Sequence, residues 1–223
     1  KLFNFNIFIL TILAAVTIQI ITNYINDLYD FLNGADTNRI GPQRMLQSGL
    51  LSKSEITRAI KILFLLAVIC GLPLVIHGGW IILMIGLSAF LFAYLYTGGP
   101  FPLAYHGLGD LFVFVYFGLL SVMGTYYLQV GFIDNNAIWL GISIGAKNVL
   151  LLTINNIRDY DGDKIVNKNT LIVKMGKKFG YLQVIGMMLL SYTGILFLSF
   201  GLNQIIIFYI SILSVPLSIN IFY

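Results

Sequence analysis

The chain has 223 residues, of which 58% are hydrophobic and only 10% charged, with 13 Lys and Arg against 9 Asp and Glu. Soluble domains carry roughly 25% charged residues, so this composition excludes an ordinary soluble protein and places the chain in a membrane. The formal charge of +4 and the pI near 9.1 belong to a few loops rather than to a continuous basic surface, which argues against a nucleic-acid partner.

Lys1 is followed almost at once by an apolar run that lacks the flanks and small-residue cleavage site of a signal peptide, so the sequence reads as a fragment of a longer chain. Apolar windows and breakers predict helices at about 5–32, 56–77, 79–97, 110–129, 136–158, 180–200 and 203–222. Each is near the ~20 residues that cross a ~30 Å hydrocarbon core. The expectation is an all-α polytopic transmembrane helix bundle of seven spans, one domain over 1–223. Short connections fall at His77-Gly78-Gly79, Thr97 to Pro102, Gly131 to Asn135 and Gly201, where Gly and Pro supply turn chemistry. Cys70 is the single cysteine, so neither an internal disulfide nor a thiolate metal site is available.

Two longer loops remain, 33–55 and 159–179, and all of the 13 basic residues except Lys1 and Lys147 lie at or beside them. Seven spans put both loops, and the connection 98–109, on one side of the membrane. The positive-inside rule makes that side cytoplasmic, in a multi-pass protein of the cell membrane.

The first of these loops follows Asn26-Asp27-Leu28-Tyr29-Asp30 through Asn33 and Asp36. On a helix, Asn26 and Asp30 are one turn apart and Asp27 lies beside them, so their oxygens leave nearly the same face. The second loop opens with Asn155-Asn156-Ile157-Arg158-Asp159 and continues to Asp163 and Lys164. Asn155, Asp159 and Asp163 again share a stripe. Polar residues cap many transmembrane helices, but two such clusters on one side hold most of the acidic residues in the chain. Magnesium takes oxygen ligands, commonly one or two carboxylates completed by water and substrate phosphates. Asn26, Asp30, Asp159 and Asp163 are the expected Mg²⁺ ligands, with Asp27 close behind. Asp36 and Asp161 are weaker candidates. Carboxylates alone repel a diphosphate, whereas carboxylates holding Mg²⁺ bind it and Arg158, Lys164, Arg39 and Arg44 contact the remaining oxygens.

These clusters resemble the Asn-Asp-x-x-Asp and Asp-x-x-x-Asp signatures of UbiA-type intramembrane aromatic prenyltransferases. The resemblance extends over Arg39-Ile40-Gly41-Pro42-Gln43-Arg44 to Gly49, Tyr96-Thr97-Gly98-Gly99-Pro100 to Asp110, and Asn155 to Leu171. Within the family it is nearest to the enzymes that act on 1,4-dihydroxy-2-naphthoate. Family members usually have nine spans, so the resemblance implies one helix missing at each end. It also implies that a polyprenyl diphosphate loses diphosphate with Mg²⁺ assistance and that the allylic cation alkylates an aromatic acid acceptor, here with decarboxylation to demethylmenaquinone. Other acceptors, such as 4-hydroxybenzoate or homogentisate, and a transporter with Asp and Asn coordination are the alternatives. A transporter would place its acids near the midplane, not at one edge.

Asp27, Asp30, Asp159 and Asp163 are therefore the expected catalytic carboxylates. Lys147 joins them because it lies about 16 Å deeper than Arg158 along the helix, where a charge is costly unless functional. From there it would meet the acceptor's carboxylate or phenolate, unless it snorkels to the far interface. Tyr105, His106 and Asp110 in the third connection are candidates for orienting the acceptor, with Asn155 beside the diphosphate. Tyr24, Tyr29, Tyr94, Tyr126 and Tyr127 are candidates by type for shielding the cation. A long isoprenoid tail further requires an apolar site open to membrane lipid. His77 falls at the opposite face and has no expected role.

Overall fold

A computed structural model describes residues 3–35 and 42–213 of the chain. Asp36 and Arg39 lie outside the described residues, as does the end of the seventh expected span. The described residues are helical, with no strand among them.

Helix α1 (Phe5–Leu32) begins where the Asn4 side chain accepts the Ile7 N–H at 3.2 Å, and it ends at Asn33. Helix α2 (Lys53–Leu95) starts from a capping box in which Ser52 Oγ accepts the Glu55 N–H while Glu55 accepts the Ser52 N–H. At 43 residues it would be about 64 Å long if straight, twice what a bilayer core needs. It is not straight. Gly79 takes φ 70° and ψ −157°, and the rings of Phe64 and Phe90 come within 4.7 Å. In a continuous helix those two residues would stand roughly 39 Å apart, so the halves fold back on each other. A side chain at Gly79 would be strained by its backbone alone.

The described residues thus contain five helices long and apolar enough to cross a membrane, where seven spans were expected. The difference has two sources. The second and third spans are the arms of α2, and the seventh is represented only by α9 (Ile206–Ile212).

The next span is continuous over Gly109–Val130 but not uniformly α-helical. α3 (Gly109–Phe114) passes into a π-helical turn, Val115–Leu120, before α4 (Ser121–Val130). The Asn148 amide donates to the Phe117 carbonyl inside this turn and to that of Ile144 in its own helix. π-turns concentrate at functional sites, and here the turn lies beside α5 (Asn135–Arg158). The two elements approach through glycine: a Cβ on Gly118 would run into the backbone of Gly145, and one on Gly145 would meet Phe114. Helix α8 (Lys177–Gly201) packs on the other side of α5 in the same way, with Gly194 against Trp139 and Ser143 and with the hydroxyls of Ser143 and Ser191 3.1 Å apart. Small residues permit this closeness, and packing rather than hydrophobicity joins helices in lipid. Leu65, Ile69, Leu72, Ile76 and Trp80 point outward from α2, as suits a protein whose solvent is hydrocarbon.

The expected loop 159–179 is largely structured, by α6 (Tyr160–Ile165), α7 (Leu171–Met175) and the start of α8. Thr170 caps α7 by accepting the Val173 N–H. Such short helices bury little surface of their own and are held by neighbours, which hydropathy does not register. A 3₁₀ turn, Leu103–His106, ties in the middle connection: the Asn169 N–H donates to the Tyr105 carbonyl and Lys174 to that of His106. The two charged loops and the middle connection therefore meet at one end of the bundle. Asn4, Gln129 and His77 gather at the other, where the Asn4 N–H donates to Gln129 and His77 Nε2 lies 3.0 Å from the Leu128 carbonyl.

Candidate functional site

Where the connections meet, four carboxylates are buried: Asp27, Asp30, Asp110 and Asp163. Asp30 is the most enclosed, at 2% exposure. Its Oδ1 accepts the Tyr105 hydroxyl at 2.9 Å, Arg44 Nη2 approaches Oδ2 at 3.3 Å, and Lys168 Nζ lies 3.3 Å from both oxygens. Two cations thus face one carboxylate. The Lys168 ammonium also sits over the Tyr105 ring, 5.3 Å from its centre. Burial, and then the negative charge of Asp30, push the Tyr105 phenol well above its ordinary range, so it remains a proton donor to the carboxylate.

The rest of the first cluster divides. Asn26 Oδ1 accepts the Thr97 hydroxyl at 2.9 Å. Asp27 turns toward the first connection, where its Oδ2 accepts the Met45 N–H at 3.0 Å. In the second cluster the helix breaks at Asp159, which ends α5 and starts α6, yet the one-turn spacing survives because the Asp159 N–H donates to Asn155 and the Asp163 N–H to Asp159. Asp159 is held by its own neighbour, with Arg158 Nε and Nη2 each 2.8 Å from one carboxylate oxygen.

Asn26, Asp30 and Arg44 on one side and Asn155, Arg158, Asp159 and Asp163 on the other line a single cavity of about 380 Å³. Asp110 lines it too, its Oδ1 accepting from Gln183 of α8 at 2.8 Å. A second, apolar cavity of about 600 Å³ lies between Val16 and Ile20 of α1, Ile85, Ala89 and Phe92 of α2, and Phe112, Tyr116 and Leu120. Both cavities have Gln19, Asn23, Asn26, Tyr96, Val113 and Phe117 in their walls, so the polar chamber adjoins the apolar one. Together they suit an amphiphile with an anionic head and a hydrocarbon tail.

Several expected residues fall elsewhere. Lys147 is exposed and does not line the cavity; adjacent helix residues point about 100° apart, and Asn148 takes the inward position. Lys164 is likewise exposed and outside the lining. Tyr105 does not line the cavity and meets the site through its hydroxyl on Asp30 and its ring beneath Lys168. His106 is engaged locally, with Nδ1 2.8 Å from the Pro102 carbonyl and its ring stacked on Phe101. None of Tyr24, Tyr29, Tyr94, Tyr126 and Tyr127 lines either cavity. The aromatic faces there belong instead to Tyr96, Phe92, Phe112, Tyr116 and Phe117. Lys168 is the main residue that motif reading passed over. Its only sequence signal was a place in the basic second loop, 138 residues from its partner.

The oxygen-rich walls fit a hard cation such as Mg²⁺. Magnesium is usually held by one or two carboxylates with phosphate and water; among the described residues no three of His, Cys, Asp and Glu form a ready-made cluster. Asp27, expected among the catalytic carboxylates, does not line the cavity; its buried Oδ1 accepts no hydrogen bond from the described residues.

The sequence profile of the UbiA prenyltransferase family matches residues 1–223. A 1,4-dihydroxy-2-naphthoate octaprenyltransferase of Haemophilus influenzae is 35% identical over 224 residues, which cover 96% of this chain and 72% of that protein. The Escherichia coli protein of the same name is 38% identical over 76% of this chain and 57% of its own length. A 2-carboxy-1,4-naphthoquinone phytyltransferase of Synechocystis is 28% identical over 86% and 63%. The chain spans between 57% and 72% of the length of these relatives. With its match running from end to end, the chain belongs to the UbiA prenyltransferase family.

Proposed function

We propose that the protein transfers a polyprenyl group from polyprenyl diphosphate to 1,4-dihydroxy-2-naphthoate, with loss of the carboxyl group, in menaquinone biosynthesis. The observation that carries this reading is the pair of adjoining cavities, one lined by carboxylates and cations and the other by aliphatic and aromatic side chains. The names of the relatives supply the acceptor.

The diphosphate head sits in the polar cavity against Arg44, Lys168 and Arg158. Asn26, Asp30, Asp159 and Asp163 would hold Mg²⁺, which when bound would supply positive charge where the leaving group's negative charge develops. As the allylic C–O bond breaks, its electron pair leaves with the diphosphate. The ring carbon bearing the carboxylate gives the electrons of the new C–C bond. CO₂ then departs, and the pair it leaves behind restores the aromatic ring, giving demethylmenaquinol, the reduced form of demethylmenaquinone. Tyr96 and Phe117, in the walls of both cavities, and Phe92 in the apolar one shield the cation from water. Asp110, fixed by Gln183, accepts a hydroxyl of the acceptor. By the positive-inside rule the polar end faces the cytoplasm of the cell membrane.

Membranes containing the whole protein, given labelled polyprenyl diphosphate, Mg²⁺ and a panel of aromatic acids, test the assignment. The expected result is a prenylated naphthalene and release of label from a carboxyl-labelled naphthoate as CO₂. Prenylation of 4-hydroxybenzoate or homogentisate in its place would overturn the acceptor, and no prenylation of any acid would overturn the activity.

A further inference from the structure

Asp30 occupies an unusual position for a metal ligand, because its oxygens are already engaged. A carboxylate offers about four lone-pair sites, and Arg44, Lys168 and Tyr105 together make four contacts to it within 3.3 Å. Two cations, Arg44 and Lys168, stand against this one carboxylate. At Asp30, a divalent ion entering alone meets two like charges on the oxygens it would need. A diphosphate meets the opposite situation, since ammonium and guanidinium are the groups that bind phosphate oxygens best.

We propose that Arg44 and Lys168 form an internal counter-ion latch on Asp30 that makes metal binding conditional on the diphosphate. When the diphosphate head arrives, the two cations transfer from the carboxylate to phosphate oxygens, and the freed Asp30 oxygens become available to Mg²⁺. Metal and diphosphate therefore enter as a unit, and metal alone is rejected. Lys168 carries most of this role because its ammonium spans both oxygens. Tyr105 keeps Asp30 oriented throughout, its hydroxyl remaining on Oδ1. Nothing is transferred or oxidised in this step; only contacts change partners. The latch rests on the reading of the site as a metal diphosphate site.

The test measures Mn²⁺ binding by electron paramagnetic resonance on the purified whole protein in lipid nanodiscs, with and without inorganic diphosphate. Wild type is expected to bind Mn²⁺ weakly alone and much more tightly with diphosphate. Lys168→Met removes one competing cation, so affinity for Mn²⁺ alone is expected to rise on the order of tenfold or more while the dependence on diphosphate shrinks. A merely structural defect would not raise an affinity. Arg44→Met is the independent second variant, expected to act in the same direction. Lys174→Met, which removes a positive charge near the site without touching Asp30, is expected to leave Mn²⁺ binding as in wild type. If Lys168→Met and Arg44→Met both bind Mn²⁺ alone no better than wild type, the latch is wrong while the metal diphosphate site stands. If wild type binds Mn²⁺ no better with diphosphate than without, the reading of the site fails and the latch with it.

Discussion

The two acidic clusters look like repeats of one another in the sequence, yet the folded protein treats them differently. Asp30 in the first is almost wholly enclosed and receives Arg44 from the segment between α1 and α2, Tyr105 from the 3₁₀ turn Leu103–His106 and Lys168 from the segment between α6 and α7. Asp159 in the second has a side chain 23% exposed and takes both its contacts from the adjacent Arg158. The first cluster is where three segments are tied together, and the second is a local device on one helix end. Residues of equal chemistry can thus differ in how much structure depends on them.

The largest effect that would separate the two is Asp30→Ala. It removes turnover, by on the order of a thousandfold, as expected when charge stabilisation of a leaving group is lost. It also leaves Arg44 and Lys168 facing each other without their anion, so stability falls by about 3–5 kcal/mol, the range for breaking a buried pair. Prenyl transfer and a thermal melt in the same detergent read the two losses separately.

Asp159→Ala is expected to lower turnover by about a hundredfold with little change in melting temperature, since a partly exposed pair of chain neighbours contributes roughly 0–1 kcal/mol. An equal loss of stability in the two variants would erase the distinction between the clusters.

Tyr105→Phe sharpens the role of the first cluster. It removes a single hydrogen bond to a charged acceptor, a change of about 1.5–3 kcal/mol. The expected result is a roughly tenfold or larger fall in kcat with the KM for the acceptor unchanged, because Tyr105 touches Asp30 and not the cavity. The smallest effect belongs to Lys147→Ala. With the side chain outside both cavities, turnover is expected within about twofold of wild type, as for most surface positions. A large fall in acceptor affinity would restore Lys147 to the site.

Much of the site was legible before folding because its markers are local. Asn26, Asp30, Asn155, Asp159 and Asp163 are set one turn apart, and that spacing survives even where the helix breaks at Asp159. Lys147 shows the limit of depth as a criterion: rise along a helix says how deep a residue lies but not which way it points, and one position decides between Lys147 outside and Asn148 inside. The same ambiguity misdirected the choice of tyrosines, since Tyr96 and Tyr116 face the cavities while Tyr94 packs edge-on against Tyr29.

By itself the sequence determined the membrane class, the approximate placing of the apolar helices and the motif carboxylates Asp30, Asp159 and Asp163 that come to line one cavity. These follow from composition, hydropathy and a 3.6-residue period, all properties of neighbouring residues. Only the tertiary structure decided that α2 folds back at Gly79, that the polar and apolar cavities adjoin, and that Lys168 rather than Lys164 reaches Asp30. Electrostatic partners are chosen by distance through space, and a contact across 138 residues leaves no periodic trace in the chain.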